Sequence, residues 1–388
     1  MMHKLGIAVI GVGGAVGTTI AAGLELLRAD AIDKRGLPLA EIDSAGLVPY
    51  TDIAVAGWDV FSHDLAAAAA EHDVLTHKQF TAVEAALREI TPWPAVYDAN
   101  FISGLEGSNR IDADSHRQAI ELITANLDEL KSRCESVVMI NLASTERLPV
   151  EGNAVFGSLR NLEQGIDDDL VEISPAILYA YAAIKAGVPY GNFTPSTSAD
   201  LPAMIELAEK EGVPVAGKDG KTGQTFIKSV LAPALRNRAL HVDGWFSTNI
   251  LGNRDGFVLN DEGSLASKVK TKSSLLDDIM GYEVEDHIVD IRYYRPRKDN
   301  KEAWDNVDIS GFLGKPMQIK VNFLCRDSIL AAPLAIEIAR CLDLADRRGE
   351  SGVQDQLAAF FKLPMTSASS PEHSFFLQQK ALMDWLAS

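Results

Sequence analysis

The chain has 388 residues, of which 47% are hydrophobic and 23% are charged, and its 36 basic and 54 acidic residues give a net charge of −18. This composition is typical of a soluble globular protein with one large domain or two interleaved domains. The negative charge argues against a nucleic-acid or membrane partner. Three widely spaced cysteines indicate neither a disulfide framework nor a zinc site. Because the N-terminus turns glycine-rich before a signal-peptide core can form, we expect a cytoplasmic protein.

The first predicted elements are a short buried strand at 5–10, a glycine loop at 11–17 and a helix from Thr18 onwards. This order is typical of the opening βα unit of a doubly wound fold, in which the backbone amides of the loop approach a pyrophosphate. The spacing departs from GxGxxG, because Val16 stands where that motif has glycine and the last glycine is Gly17. A glycine turn without a ligand is therefore the alternative interpretation.

Later apolar runs continue the same pattern. The runs 52–57, 94–97 and 137–142 predict strands, and the runs 175–186 and Pro202–Glu211 predict helices that a proline starts. Strands that alternate with helices predict an α/β fold, a Rossmann-like doubly wound parallel sheet.

Asp59 follows the second predicted strand, where an acidic residue binds the ribose of a dinucleotide. Asp59 lies farther from the glycine loop than the usual ~20 residues, which implies a long connection between the first two strands. A helix N-cap is the competing role for this aspartate.

The character of the chain changes after about residue 228, where β-branched and aromatic residues become frequent. We predict an inserted α+β domain at 226–327, and an apolar helix at 328–340 that returns to the first domain. The Rossmann-like domain is therefore expected to comprise residues 1–225 and 328–388.

Two polar stretches could bind an anion. Lys268 and Lys272 share one face of a predicted helix that follows the polar loop 249–256, although a solvated basic face would look the same. The loop 216–225 opens another helix, for which Thr222 is a possible N-cap. The sequence shows no order typical of a Ser-His-Asp or Cys-His nucleophile, and its eight histidines show no metal-binding spacing.

At these residues the sequence resembles the myo-inositol-1-phosphate synthase family. The family signature GD-x-x-[KS]-GQT-x-x-KSVL is matched at 217–231, and its SYNHLGNNDG segment is similar to 247–256. The agreement runs in order from Gly11 to about Lys362. Further matches are the SK-x-x-x-KSS-x-x-DD stretch at 267–278, the GGWDI segment at 56–60, the TANTER segment at 142–147 and the ISP-x-x-LYA segment at 173–180.

Four positions depart from the family pattern. Ala15 and Val16 replace an asparagine pair in the glycine loop, Arg254 replaces the second asparagine of LGNND, and Phe193 stands where the family has glycine. These departures concern cofactor contacts more than the lysines.

The resemblance implies a reaction. D-Glucose 6-phosphate would be cyclised to 1D-myo-inositol 3-phosphate (1L-myo-inositol 1-phosphate), with NAD oxidising C5, an intramolecular aldol closure and re-reduction, so that no net redox change results. It leaves open whether a mono- or divalent cation takes part, and no metal ligand is assigned. It also implies a homotetramer assembled largely through 226–327.

The resemblance implies the site residues as well. Lys268, relayed through Asp219, would take the C5 hydroxyl proton, and the other lysines would hold the phosphate and carbonyl oxygens. Crowded ammonium groups depress one another's pKa, so one lysine could act as a base. The catalytic set is Lys268, Lys272, Lys301, Lys362 and Asp219. The substrate-binding set comprises the four lysines with Asn249 and Asn253.

Asp327 would orient a lysine or the nicotinamide ribose. The residues implied to bind the cofactor are Gly11, Gly13, Gly14, Ala15, Val16, Gly17, Thr18, Asp59, Ala143, Ser144, Thr145, Thr194, Asp219, Thr222, Asn253, Arg254, Asp255, Asp299, Asp327 and Ser328.

Two other functions stay open. One is an NAD-dependent dehydrogenase or cyclase that acts on a different sugar phosphate, and a dehydrogenase would release NADH in proportion to substrate. The other is an NAD-binding homologue without catalysis, although a site that does no chemistry has no physical need for clustered cations. Without the resemblance, Lys301 and Lys362 would be interpreted as ordinary surface lysines.

Overall fold

A computed structural model describes residues 3–42, 46–102, 104–105, 107–150, 152–252 and 276–388. Within these residues the chain forms two sheets, with helices on both faces of the first and on one face of the second. The strands of the first sheet are β1 His3–Ile10, β2 Ile53–Asp59, β3 Trp93–Pro94, β4 Cys134–Asn141, β5 Tyr190–Asn192, β6 Pro214–Gly217 and β11 Gly352–Val353. The strands of the second sheet are β7 His241–Leu251, β8 Asp286–Tyr293, β9 Asn300–Ser310 and β10 Pro316–Arg326.

The helices alternate with the strands of the first sheet, as expected for crossover connections. None of the described helices is long and apolar enough to cross a membrane. The helices are α1 Ala15–Arg28, α2 Leu65–His72, α3 His77–Arg88, α4 His116–Lys131, α5 Leu159–Asp167, α6 Pro175–Lys185, α7 Pro202–Glu211, α8 Gln224–Asn237, α9 Asp327–Arg347 and α10 Phe375–Ala387.

The first sheet has the strand order β11-β6-β5-β4-β1-β2-β3, and all its pairs are parallel. Without the additional edge strand β11, this is the 3-2-1-4-5-6 order of a doubly wound dinucleotide-binding sheet. The predicted fold class is therefore confirmed. The order reverses between β1 and β4, and ligands of such sheets bind outside the carboxyl ends of the strands at that point.

The central strand β1 is buried on both faces. Ala8 and Ile10 pack into a cluster with helices α4, α5, α6 and α7, while Leu5, Ile7 and Val9 pack on the other face with α1 and α9. Side chains of a strand alternate between faces, so an uninterrupted apolar run fits a strand covered on both sides.

One local prediction is wrong, and one alternative interpretation is excluded. The expected strand 94–97 ends at Pro94, because the Val96 amide donates to the Tyr179 hydroxyl at 2.9 Å and Ala95 pairs outside the sheet with Arg110. Asp59 is not a helix N-cap. That position belongs to Asp64, whose carboxylate accepts from the Ala67 amide at 2.8 Å at the start of α2.

The second sheet has the order β10-β9-β7-β8, in which β7 and β8 are parallel and the other pairs antiparallel. Trp245 and Val307 lie on one face and pack against Ala232 and Leu235 of α8. Helix α9 begins at Asp327, directly after β10, and carries the chain back to the first sheet. The Asp327 side chain therefore lies where the two sheets meet.

Candidate active site

The loop between β1 and α1 depends on glycine at two positions. Gly11 has a φ of +81°, and an added Cβ would lie 3.1 Å from the Ala143 Cα. A Cβ at Gly17 would lie 2.4 Å from the Val12 carbonyl oxygen, so a side chain there would push α1 away from the loop. The missing side chains thus allow the loop, α1 and the start of the chain after β4 to approach one another closely.

The N-terminus of α1 is suited to bind an anion. Its N-cap is Gly14, which has no capping side chain, and the first turn contains no acidic residue. The first amides of a helix lack partners within the helix and carry a partial positive charge. A pyrophosphate therefore fits here without displacing a protein group.

A cavity of about 360 Å³ lies at this edge of the sheet. It contains most of the side chains and loop residues that the resemblance assigns to the cofactor. The lining includes Gly11, Gly13, Gly14, Ala15, Val16, Gly17, Asp59, Ala143, Ser144, Asp299, Asp327 and Ser328. The cavity also has lining residues that the sequence did not indicate, among them Phe61, His72, Tyr97, Arg295 and Lys298.

Asp59 connects the end of β2 to the glycine loop. Its carboxylate accepts from the Gly13 amide at 2.9 Å and from the Phe61 amide at 3.0 Å. His72, at the end of α2, contacts the Gly13 carbonyl oxygen through Nε2 at 2.9 Å. The loop is thereby held from two sides, and Asp59 lies at the position where a ribose hydroxyl donates to an acidic residue.

Five of the residues assigned to the cofactor lie outside the lining of this cavity: Thr18, Thr145, Thr194, Asp219 and Thr222. The Thr18 hydroxyl donates to the Gly14 carbonyl oxygen at 2.9 Å, within its own helix. Thr222 is not a helix N-cap either. Gly223 occupies that position of α8, and the Thr222 hydroxyl donates to Asp327 Oδ1 at 3.3 Å.

Two buried asparagines that the sequence did not indicate support the loops at the switch point. Asn141, the last residue of β4, accepts from the Ala143 amide at 3.1 Å. Asn192, the last residue of β5, accepts from the Thr194 amide at 3.0 Å and from the Thr194 hydroxyl at 2.8 Å. Single asparagines give no recognisable pattern in a sequence, so only the adjacency of β4 and β5 identifies this role.

Two lysine–carboxylate pairs lie beside the cavity. Lys362 Nζ lies 2.7 Å from Asp219 Oδ1, and Lys301 Nζ lies 3.5 Å from Asp327 Oδ1. All four side chains are less than a quarter exposed. Because Asp327 also lines the cavity, one carboxylate joins the dinucleotide site to the lysine pairs.

The surroundings of Lys301 favour its charged form. Burial lowers the pKa of its ammonium, but the attractions of Asp327, Cys325 and Asp219 outweigh burial, so the pKa lies above its ordinary value. Lys301 therefore stays protonated at neutral pH, whereas Lys268, the lysine expected to act as the base, lies outside the described residues. Burial also raises the pKa of Asp299, although hydrogen bonds from Ser328 oppose it.

Two lysines outside the predicted set have a lowered pKa. Burial lowers the pKa of Lys221 to about 7 and that of Lys228 to about 8. Lys221 contacts Gln378 of α10, and Lys228 Nζ lies 2.6 Å from His287 Nε2. Both lysines belong to the segment at 217–231 that carries the longest signature, yet a low pKa arises only from burial that the sequence does not reveal.

Several predicted residues lie outside the described part of the chain: Asn253, Arg254, Asp255, Lys268 and Lys272. Asn249 is described and is buried in β7, where its amide nitrogen donates to Gln224 Oε1. Among the described residues, no group of three or more His, Cys, Asp or Glu side chains could hold a metal ion.

The sheet order, the glycine loop and the cavity at the switch point define a Rossmann-like dinucleotide-binding protein with a second, mixed sheet. The family model described as myo-inositol-1-phosphate synthase matches residues 38–387. The chain belongs to this family.

Individual relatives agree with this assignment. Inositol-3-phosphate synthase 1 of Bacteroides thetaiotaomicron is 41% identical over 99% of this chain and 95% of that protein. Inositol-3-phosphate synthase of Saccharomyces cerevisiae is 31% identical over 87% of this chain and 72% of its own length. The crystal structure of inositol-3-phosphate synthase from Caenorhabditis elegans superposes with a TM-score of 0.91 at 26% identity, over 100% of this chain and 86% of that one.

Proposed function

We propose that the protein converts D-glucose 6-phosphate into 1D-myo-inositol 3-phosphate with NAD as its cofactor. Membership of the family supports this reaction. The observation that carries the proposal is that Asp327 lines the dinucleotide cavity and also forms an ion pair with Lys301. A sugar held by the lysines would therefore lie beside a nicotinamide.

The residues around the glycine loop fit NAD. The N-terminus of α1 would bind the pyrophosphate, and Asp59 would accept from the adenosine ribose. When bound, NAD supplies oxidation at C5 of the sugar and the matching reduction at the end. The further residues assigned to the cofactor, including those outside the described chain, belong to this proposal on the resemblance alone.

The sugar phosphate group would bind at the N-terminus of α8. Its N-cap Gly223 has no capping side chain, and its first turn contains no acidic residue. The adjoining loop pairs with the segment of Lys362, since the Lys362 amide donates to the Asp219 carbonyl oxygen at 2.6 Å. A helix N-terminus next to Lys301 and Lys362 is a suitable environment for a dianion.

Lys301 would stabilise the oxygen that becomes negative when a proton leaves the carbon next to the C5 ketone. An ammonium that stays protonated and is already oriented serves this purpose, because it need not reorganise as charge develops. Asp219, in contact with Lys362, would relay the proton of the C5 hydroxyl, with Lys268 as its acceptor and Lys272 on the phosphate.

The test is incubation of the protein with glucose 6-phosphate, deuterated at C5, and NAD. We expect an inositol phosphate that retains the deuterium, without accumulation of NADH. Accumulation of NADH in proportion to substrate loss would instead identify a dehydrogenase. Recovery of unchanged glucose 6-phosphate would favour a homologue without catalysis.

We further propose the division into a Rossmann-like domain, 1–225 with 328–388, and an inserted domain, 226–327. All described strands of the first sheet come from before 218 or after 351, and all described strands of the second come from 241–326. A homotetramer built on the second sheet is supported by two apolar side chains on its outer face, Ile288 and Leu324, which are 50% and 58% exposed.

A further inference from the structure

A buried carboxylate lies on the face of the second sheet that α8 covers. Asp305 of β9 is 1% exposed and points to the same face of the strand as Lys301, since side chains of a strand alternate. Its Oδ1 accepts from Trp245 Nε1 at 2.8 Å and from the Ser247 hydroxyl at 2.7 Å. Its Oδ2 accepts from Gln224 Nε2 at 3.1 Å.

This carboxylate determines which way the Gln224 amide points. A carboxylate only accepts hydrogen bonds, so the nitrogen of Gln224 must face Asp305 and its oxygen must face away. That oxygen accepts from the Asn249 amide nitrogen. Gln224 is the first residue of α8 and is buried, and both ends of its side-chain amide are paired within the protein.

The same argument determines which way the side-chain amide of Asn249 points. Because its nitrogen is committed to Gln224, its Oδ1 is the atom that points away from the chain of amides. This oxygen is buried and has no hydrogen-bond partner within the described residues. Asn249 lies opposite Ala303 in the ladder of β7 and β9, next to the Leu251–Lys301 pair, so it shares the face of the proposed catalytic lysine.

We propose that Asp305 is a positioning residue that orients the Gln224 and Asn249 amides, so that Asn249 Oδ1 accepts a hydrogen bond from a substrate hydroxyl. The inference rests on the proposed function for the identity of that substrate, a polyhydroxylated sugar phosphate. A hydroxyl at this position fills the buried acceptor, whereas a ligand with no donor there leaves it unpaired. Such a mismatch weakens recognition by about tenfold or more.

The first test is Asp305→Asn, which is nearly isosteric. The introduced amide must keep its oxygen toward the Trp245 and Ser247 donors, so its nitrogen faces Gln224 and the Gln224 amide turns over. Asn249 then turns as well and presents nitrogen to the sugar. We expect kcat/KM for glucose 6-phosphate to fall about tenfold or more.

The decisive test combines this variant with a substitution at Asn249. Asn249→Asp alone places a carboxylate against the Gln224 oxygen. Because two hydrogen-bond acceptors then face each other, this variant should also lower kcat/KM. In Asp305→Asn/Asn249→Asp the turned Gln224 donates to the new carboxylate of β7, whose second oxygen is again an acceptor for the sugar. The double variant should therefore exceed both single variants by about tenfold. Ser247→Ala, which removes one bond to Asp305 but leaves the amide chain unchanged, should stay within about twofold of wild type.

Equilibrium binding separates this inference from the proposed reaction. Asp305→Asn should weaken binding of D-glucitol 6-phosphate about tenfold and leave binding of inorganic phosphate unchanged, even if the wild-type protein makes no inositol phosphate. A double variant no better than the weaker single variant would overturn the inference. So would a loss in Ser247→Ala as large as that in Asp305→Asn, because Asp305 would then act only through packing.

Discussion

Lys301 Nζ lies 3.5 Å from Asp327 Oδ1, although the two residues belong to different elements. Lys301 stands opposite Cys325 in the ladder of β9 and β10, and Asp327 begins α9 just beyond that pair. The lysine is thus held by a rigid strand, and its counter-ion by the helix that returns to the dinucleotide-binding sheet. This arrangement gives Lys301 a fixed charge beside the cavity.

Removal of either paired lysine is expected to abolish most of the activity. Lys301→Met and Lys362→Met keep much of the side-chain volume but remove the charge, and each should lower kcat/KM by roughly 100-fold, about 3 kcal/mol. Steady-state kinetics with glucose 6-phosphate measure this loss. Lys78→Met on the exposed surface of α3 is the matched control and should behave like wild type. Near-normal rates in both paired-lysine variants would remove these lysines from the mechanism.

Asp327→Asn should change the pH profile. Asp327 is the largest of the influences that raise the pKa of Lys301 against the effect of burial. Its neutralisation therefore lowers that pKa, and the lysine loses its proton at a lower pH. If protonated Lys301 is required, the alkaline limb of kcat/KM against pH must shift toward neutrality. An alkaline limb in the same place as in wild type would mean that another group titrates there.

Gly17→Ala tests the close packing of the glycine loop. The added Cβ would lie 2.4 Å from the Val12 carbonyl oxygen, so α1 and its N-terminal amides must move. We expect the Kd for NAD to rise by about tenfold or more, as measured by calorimetric titration. Gly23→Ala in the same helix is the control, because nothing lies within 4 Å of its added Cβ. It should leave the Kd unchanged and stabilise the fold by up to about 1 kcal/mol.

Glu146 should make stability depend on pH near neutrality. It is 4% exposed, its carboxylate accepts from the Ala176 amide at 2.9 Å, and burial raises its pKa to about 7. The protonated form is favoured in the folded state, so its contribution is fully present below the unfolded value of 4.5 and is lost as the pH rises through about 7. The total is roughly 3 kcal/mol.

The variant Glu146→Gln mimics the protonated carboxyl group. Relative to wild type it should be distinctly more stable at about pH 8 than at about pH 5, as measured by urea unfolding at both values. Glu172→Gln, at an exposed position four residues before Ala176, should show no such difference. A pH-independent difference between Glu146→Gln and wild type would contradict the raised pKa.

The outer face of the second sheet is expected to hold subunits together. Ile288→Asp and Leu324→Lys place charges on two exposed apolar positions, and together they should lower the mass measured by light scattering below that of a tetramer. Val171→Asp is the control, because Val171 is 77% exposed but belongs to the first domain. A wild-type protein that is monomeric at micromolar concentration would contradict the proposal directly.

The local features of the site could be predicted from the sequence. The glycine loop follows a buried strand without a gap, Gly11 and Gly17 lie where a Cβ would meet neighbouring backbone, and Asp59 ends the second strand beside the loop. The helix at 175–186 could also be predicted, because Pro175 can start a helix and Gly187, with a φ of +67°, can end one. The length of the third strand could not be predicted, because the apolar run at 94–97 does not reveal that the Val96 amide donates to the Tyr179 hydroxyl.

By itself the sequence therefore determined the fold class, the position of the dinucleotide loop and the family, since all of these depend on residues that are neighbours in the chain. The side-chain pairs of the proposed mechanism depend on the tertiary structure. Lys362 meets Asp219 across 143 positions, and Gln224 meets Asp305 across 81. No local pattern specifies the partner of a charged or amide side chain. The pairing, the burial and hence the raised pKa of Lys301 arise only when the topology brings distant strands and helix ends together.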